Sequence, residues 1–230
     1  MPGSNNQLTK GVRPRLLIAV VGTGTEVGKT WLVVELMQDF VSKRLKVSAR
    51  KPAQSFGEGE PGRTDAELLA EATGESPYEV CSKEFWFETP LAPPMAAAEL
   101  SLEPFFLMDL VGSISWTKES DIGIVELAGG IRSPQCEDAD ALGVVKAIEP
   151  NLVILVSDAR LGAITSIRSA LDSFKVEGYK PDHLIVFLNH FDEKENVQAL
   201  NREWLSGKYE ISVFTNVNEL EGEIEKLLPF

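Results

Sequence analysis

Four short runs constrain this chain more than any other feature. They are RLLIAVVG at 15–22, DIGIVELAGG at 121–130, NLVILVSDA at 151–159 and HLIVFLNH at 183–190. Each is apolar at odd and even positions alike, so each reads as a strand covered on both faces, the condition of a parallel sheet enclosed by helices. Between the runs the period changes. KTWLVVELMQDFVSKR sets Leu32, Val33, Leu36, Met37, Phe40 and Val41 at spacings of three and four, and AITSIRSALDSFKVEG does the same with Ile164, Ile167, Leu171 and Phe174. The expected fold class is therefore α/β, a mostly parallel sheet with helices on both faces.

The remaining segments fit that frame. KVSARKP, 46–52, reads as a shorter strand ended by Pro52, followed by a flexible stretch, QSFGEGEPGR, at 54–63. RTDAELLAEATG reads as a helix opened by a capping box, Thr64 with Glu67, and closed by Gly74. Two helices are expected around Pro104, one over EDADALGVVKAIEP, one at about 193–206, and a last one running to Leu228 after the strand EISVFTN. A chain of 230 residues suffices for one such domain. Residues 14–230 are read as that domain, and the polar residues 1–13, which carry Pro and Gly, as a loose tail.

Composition removes several function classes. A net charge of −13 argues against a nucleic-acid partner, which needs clustered Lys and Arg, but leaves a small anionic ligand open. Cys81 and Cys136 have no CxxC pairing and no nearby histidine, so both read as buried thiols. The two histidines, His183 and His190, give little material for a Ser-His-Asp or His-metal mechanism. No apolar run reaches the ~18 residues of a membrane span, and the opening MPGSNNQLTKGVRPR has no apolar leader, so a cytoplasmic protein is expected.

The chemistry gathers after the strands. VVGTGTEVGKTW, directly behind LLIAV, resembles a phosphate-binding loop in which Thr23 stands at the usual first glycine and Gly22 lies one place earlier. Gly22, Gly24 and Gly28 let the backbone curl around oxygen atoms. A helix starting near Lys29 would offer free N–H groups to an anion. Lys29 is then placed on the outer phosphates and Thr30 on Mg²⁺. Glu126 lies in an apolar strand, where a carboxylate needs a partner or a metal. With Thr30 and Asp65 it forms an oxygen set suited to Mg²⁺. Lys51 and Asp65 also have ordinary readings, as a solvated lysine and a helix-start carboxylate. Gly162, Ala163 and Ile164 open a helix and repeat the anion logic, and Asn189 ends a strand where an amide can read a purine.

Taken in order, these segments resemble the dethiobiotin synthetase family. GTGTEVGKT is similar to that family's GTDTEVGKT, with the same extra loop residue. KPAQS, RTDAELL, FETPLAPPMAAAE, VELAGG and ARLGAITS resemble its further motifs, covering roughly residues 16 to 190. The resemblance implies a homodimeric P-loop enzyme using ATP and Mg²⁺ to carboxylate 7,8-diaminononanoate and close a cyclic urea. It implies that Gly24, Glu26, Val27, Gly28, Lys29 and Thr30 hold ATP, with Asn189 at adenine. Lys29, Lys51, Thr25 and Ser55 are implied at the reacting groups, Thr30, Asp65 and Glu126 at the metal, and Gly162, Ala163 and Ile164 at the substrate carboxylate across a dimer interface.

The departures are Gly24 for the loop Asp, Leu127 within VEGAGG, Thr165 within LGxIN, and Pro93 and Met95 in the SPH turn. Leu127 is expected to intrude on the substrate tunnel. Two rival readings share the ATP site: a related ligase acting on another amine or carboxylate, and a partitioning-type ATPase switch. The switch family's extra loop lysine is replaced here by Gly24, and the last helix, NELEGEIEKLLPF, is acidic.

Overall fold

The computed structural model describes residues 9–57, 62–209 and 211–229. Its centre is a sheet of six parallel strands: β1 (Leu16–Gly22), β2 (Val47–Arg50), β3 (Ile122–Gly130), β4 (Leu152–Asp158), β5 (Leu184–Asn189) and β6 (Ser212–Phe214). The order across the sheet is β6-β5-β4-β1-β3-β2. Every residue of β1 and β2 is buried, as strands covered on both faces require. β1 lies between β3 and β4, with Val20 opposite Glu126 on one side and Ile154 on the other.

Nine α-helices lie among the described residues: α1 (Lys29–Ser42), α2 (Asp65–Thr73), α3 (Pro77–Val80), α4 (Pro93–Glu99), α5 (Leu107–Ser113), α6 (Ala141–Ile148), α7 (Ala163–Val176), α8 (Asn196–Tyr209) and α9 (Val217–Glu225). α1 buries Leu32, Val33, Leu36, Met37 and Phe40 against the sheet, while Val41 turns outward. α2 has the expected capping box at Thr64 and Glu67 and ends at Gly74 in the left-handed conformation. Both cysteines are free and buried.

Two stretches depart from the expected organisation. Of the tail placed over 1–13, residues 1–8 lie outside the described residues. Lys10–Gly11 pairs in parallel with Ser115–Trp116, and Arg13 Nη1 donates to Ile148 O at 2.8 Å. The middle of the stretch expected to be flexible, 58–61, also lies outside the described residues. Its start is a short strand, Gln54–Ser55, paired in parallel with Trp86–Phe87. Neither pairing carries a periodic signal, because strands of two residues are too short to show one.

Candidate active site

The site is built at the carboxyl edge of the sheet, where strands end and helices begin. β1 stops at Gly22 and α1 starts at Lys29, joined by the loop. Gly28 caps α1 with φ 89° and no side-chain hydrogen bond, so the first N–H groups of α1 keep their affinity for an anion. Two glycines of the loop are sterically required. A Cβ on Gly28 would fall 1.8 Å from Asn189 Nδ2, and one on Gly22 would fall 2.9 Å from Lys29 Nζ. Gly24 is under no such constraint, since its nearest atom would be Val27 Cγ1 at 4.0 Å.

Lys29 curls back over the loop. Its Nζ donates to Gly24 O at 3.0 Å and Gly129 O at 2.8 Å. Burial, with the ammonium of Lys51 adding to it, lowers its pKa to about 8 despite the opposing pull of Glu126 and Asp65. Lys51, just beyond β2, is in the opposite situation. Its Nζ lies 2.6 Å from Glu126 Oε1 and 2.7 Å from Asp65 Oδ2. Burial works against its charge, but Asp65 and Glu126 outweigh it and hold the pKa above the ordinary lysine value. The charge of Lys51 in turn holds the Asp65 carboxyl below its usual range.

Thr30 closes the cluster. Its Oγ1 is 3.0 Å from Asp65 Oδ1 and 2.8 Å from Glu126 Oε1. Asp65 is the first residue of α2, so the capping box that starts this helix also sets its position. Glu126 is 1% exposed, and its Oε2 is a buried oxygen with no hydrogen-bond partner.

These groups line a cavity of about 610 Å³ with Thr25, Glu26 and Ser55 on its polar side and Trp31, Phe56, Leu91 and Pro93 on its apolar side. A larger hollow of about 780 Å³ lies elsewhere, between Phe85–Phe87 and α5. Its lining includes neither the loop nor Lys29, Thr30, Lys51, Asp65 or Glu126, so chemistry rather than size selects the site.

Several supports of the cavity carry no motif signal. Arg50, the residue before Lys51, is buried with Nη1 2.8 Å from Glu75 Oε1, Nε donating to Ser115 O at 2.6 Å, and its guanidinium 4.8 Å from the Trp116 ring centroid. Glu75 also accepts the Ala49 N–H at 2.9 Å, so the end of β2 is held from both sides of its chain. Gln135, fully buried, clasps Ala128 through Nε2 to O at 2.9 Å and N to Oε1 at 3.2 Å. Gln54 accepts the Ala66 N–H at 3.0 Å. KPAQS contains Gln54, and only its burial distinguishes it from a surface glutamine.

A family model described as an AAA domain matches residues 17–222. The ATP-dependent dethiobiotin synthetase BioD of Vesicomyosocius okutanii is 31% identical over 223 residues, covering 91% of this chain and 95% of its own. The chain belongs to the dethiobiotin synthetase family. The family member from Ruthia magnifica is 30% identical, with 91% and 96% covered. That of Caulobacter vibrioides is 30% identical, with 73% and 77% covered. Among solved structures, a putative plasmid partition protein from Borrelia burgdorferi bound to AMPPNP shares 13% identity at a TM-score of 0.53, covering 94% of this chain and 97% of that one. Chloroplast FtsY from Physcomitrella patens shares 16% at 0.52, covering 95% and 67%. At such identities the likeness is one of fold.

Against the dethiobiotin synthetase motifs, the structure brings together Thr25, Glu26, Lys29, Thr30, Lys51, Ser55, Asp65 and Glu126. Asn189 lies under the loop, its Nδ2 donating to Val27 O at 3.1 Å. Gly162, Ala163 and Ile164 are outside the cavity lining, and the Ala163 N–H already bonds Arg160 O at 3.2 Å. Leu127 does not intrude. It is 1% exposed and absent from the cavity wall, because neighbouring residues of a strand face opposite ways and Glu126 and Ala128 take the cavity side. Met95 is exposed and also off the cavity wall, whereas Pro93 contributes to it.

Proposed function

We propose that this chain is an ATP-dependent dethiobiotin synthetase. It would join CO₂ to 7,8-diaminononanoate and close the cyclic urea with formation of ADP and phosphate. The observation that carries the reading is the meeting of Lys51, held between Asp65 and Glu126, with the loop lysine Lys29 in one cavity. Such a reaction brings a carbamate and a triphosphate together, and two ammonium groups lower the repulsion between them.

The residues fit Mg²⁺. Thr30, Asp65 and Glu126 present only oxygen donors, and Glu126 Oε2 is buried without a partner. The Thr30 hydroxyl has one proton for two carboxylate oxygens, a crowding of lone pairs that a cation relieves. These three side chains would hold the ion, with phosphate oxygens and water completing its shell, and the ion would neutralise phosphate charge.

Within this reading Lys51 donates to the carbamate formed when one amine of the substrate adds to CO₂ and loses a proton. Lys29 leaves its loop carbonyls for the phosphate oxygens. A carbamate oxygen then takes the γ-phosphoryl group and ADP departs. The second amine attacks the activated carbonyl, expelling phosphate and closing the ring. Thr25 and Ser55 supply hydroxyl donors, Asn189 keeps its amide oxygen for the adenine, and the wall of Phe56, Leu91 and Pro93 limits water.

The carboxylate tail of the substrate is assigned to Gly162, Ala163 and Ile164 of a second copy, which makes the working form a homodimer. A cytoplasmic location agrees with two free, buried cysteines. Among the described residues no helix is long and apolar enough to cross a membrane.

The test is ADP release with MgATP and bicarbonate, with and without the diamine, with product identified by mass spectrometry and Lys29→Ala as control. Diamine-dependent turnover to dethiobiotin is expected. Nucleotide binding with no response to the diamine would overturn the assigned acceptor and favour another amine or carboxylate.

A further inference from the structure

Gln54 occupies the cavity wall with its side chain committed at one end only. It is 3% exposed, and its Nε2 is a buried donor with no partner. The orientation of the amide is fixed by its other end. Oε1 accepts the Ala66 N–H at 3.0 Å, and reversing the amide would set two donors against each other. The unpaired N–H₂ therefore belongs to the structure as folded, and a buried donor left unpaired is costly.

The same feature locates the missing acceptor. Gln54 lies between Lys51 and Ser55 on the chain, and all three line the cavity. Lys51 and Ser55 also present hydrogen-bond donors, so a group meeting all three must bring several lone pairs. The phosphates have their own donors in the loop and the start of α1. What remains is a planar, anionic group carried by the acceptor substrate.

Resting on the function proposed above, we propose that Gln54 Nε2 donates directly to one oxygen of the substrate carbamate. Lys51 neutralises the carbamate, and Gln54 fixes its rotation. With one oxygen held by the amide, the other is left to face the γ-phosphorus, and alignment of the attacking oxygen is a large part of phosphoryl-transfer catalysis. Gln54 is thereby a substrate-contacting residue, and its bond to Ala66 ties that contact to the helix that carries Asp65.

Two variants separate this role from a structural one. Gln54→Glu keeps an acceptor for the Ala66 N–H and replaces the donor by a carboxylate oxygen that repels a carbamate. Gln54→Met removes both functions at similar volume. For a lost hydrogen bond to a charged group, kcat/KM for the diamine at saturating bicarbonate should fall about 10-fold in Gln54→Met, and about 100-fold in Gln54→Glu. The dissociation constant for MgATP, read by calorimetry, should stay within about 2-fold in Gln54→Glu. Unfolding curves establish that each variant is folded.

A Gln54→Glu enzyme as active toward the diamine as wild type would overturn the proposal. So would a loss shared equally by diamine and nucleotide, which would make Gln54 a prop for α2 alone. Wild-type protein run in parallel distinguishes the two levels. An inactive wild type overturns the proposed function and this role with it, whereas an active wild type beside an unimpaired Gln54→Glu overturns the role alone.

Discussion

Lys29 and Lys51 line the same cavity and are both buried, yet their surroundings oppose one another. Lys29 is bound by two neutral carbonyl oxygens, those of Gly24 and Gly129, and has its pKa lowered to about 8. Lys51 is bound by two carboxylates and has its pKa raised. Dipoles satisfy the hydrogen bonds of an ammonium without balancing its charge, and a carboxylate does both. The charge of Lys29 is thus poorly stabilised, while Lys51 is part of a neutralised cluster. One lysine carries an unbalanced charge, and the other ties the start of α2 to β3.

The largest expected effect separates the two by kind of damage. Lys29→Ala should lower kcat/KM by about 10³-fold or more, as for loss of a preorganised charge-stabilising donor, with little change in unfolding free energy. Lys51→Ala should also inactivate. In addition it leaves Glu126 buried without its cation, and chemical denaturation should show a loss of about 3–5 kcal/mol. Equal stability losses in both variants would break the comparison.

The strand beneath Lys51 gives the next test. Leu127→Ala should cost about 2–5 kcal/mol of stability through a core cavity and leave kcat/KM nearly unchanged. The opposite pattern would put Leu127 on the cavity side and remove Glu126 from Lys51.

The pH dependence sharpens the contrast. The unfolded chain binds a proton at Lys29 up to the ordinary value of 10.5, while the folded chain releases it above about 8. The Lys29 contribution to stability therefore rises with pH across that window. For Lys51, with its raised pKa, the contribution is complete below the ordinary value and is lost only as pH climbs through the higher folded one. Phosphate binding should recharge Lys29. Calorimetry just above pH 8, in two buffers of different ionisation heat, should show proton uptake on MgATP binding that vanishes in Lys29→Met.

The smallest effect is expected at Gly24. Gly24→Ala keeps the carbonyl that Lys29 uses and meets no atom closer than 4.0 Å, so nucleotide affinity should change by less than about 3-fold. Gly28→Ala, by contrast, should prevent nucleotide binding, since its Cβ would displace Asn189.

How far this site was legible in the sequence follows from the reach of each signal. The apolar runs gave the sheet, and GKT behind a strand gave Lys29 and Thr30, because both signals lie within a dozen residues. Asp65 was legible from its capping box, and Glu126 from the cost of a carboxylate in an apolar run. The ion pairs of Lys51 with Asp65 and Glu126 depend on three separate segments meeting, which no local pattern records. Strand alternation already contains the placement of Leu127, since a neighbour of a cavity-facing Glu126 must face away. The support given by Arg50, Glu75 and Gln135 was not legible, because a buried polar residue looks like a surface one until its partners are known.

The order of strands across the sheet has a consequence for how such a chain is made. The phosphate loop lies at residues 22–30, but one of the two carbonyls that hold its lysine belongs to Gly129, and the amide that holds its backbone belongs to Asn189. A nascent chain emerging from the ribosome would carry the whole loop motif long before it could form the site. Capture of ATP then becomes a late event in synthesis, following the slow, long-range pairing of a parallel sheet. Retention of ribosome-bound fragments on immobilised ATP should begin only after β5 has emerged.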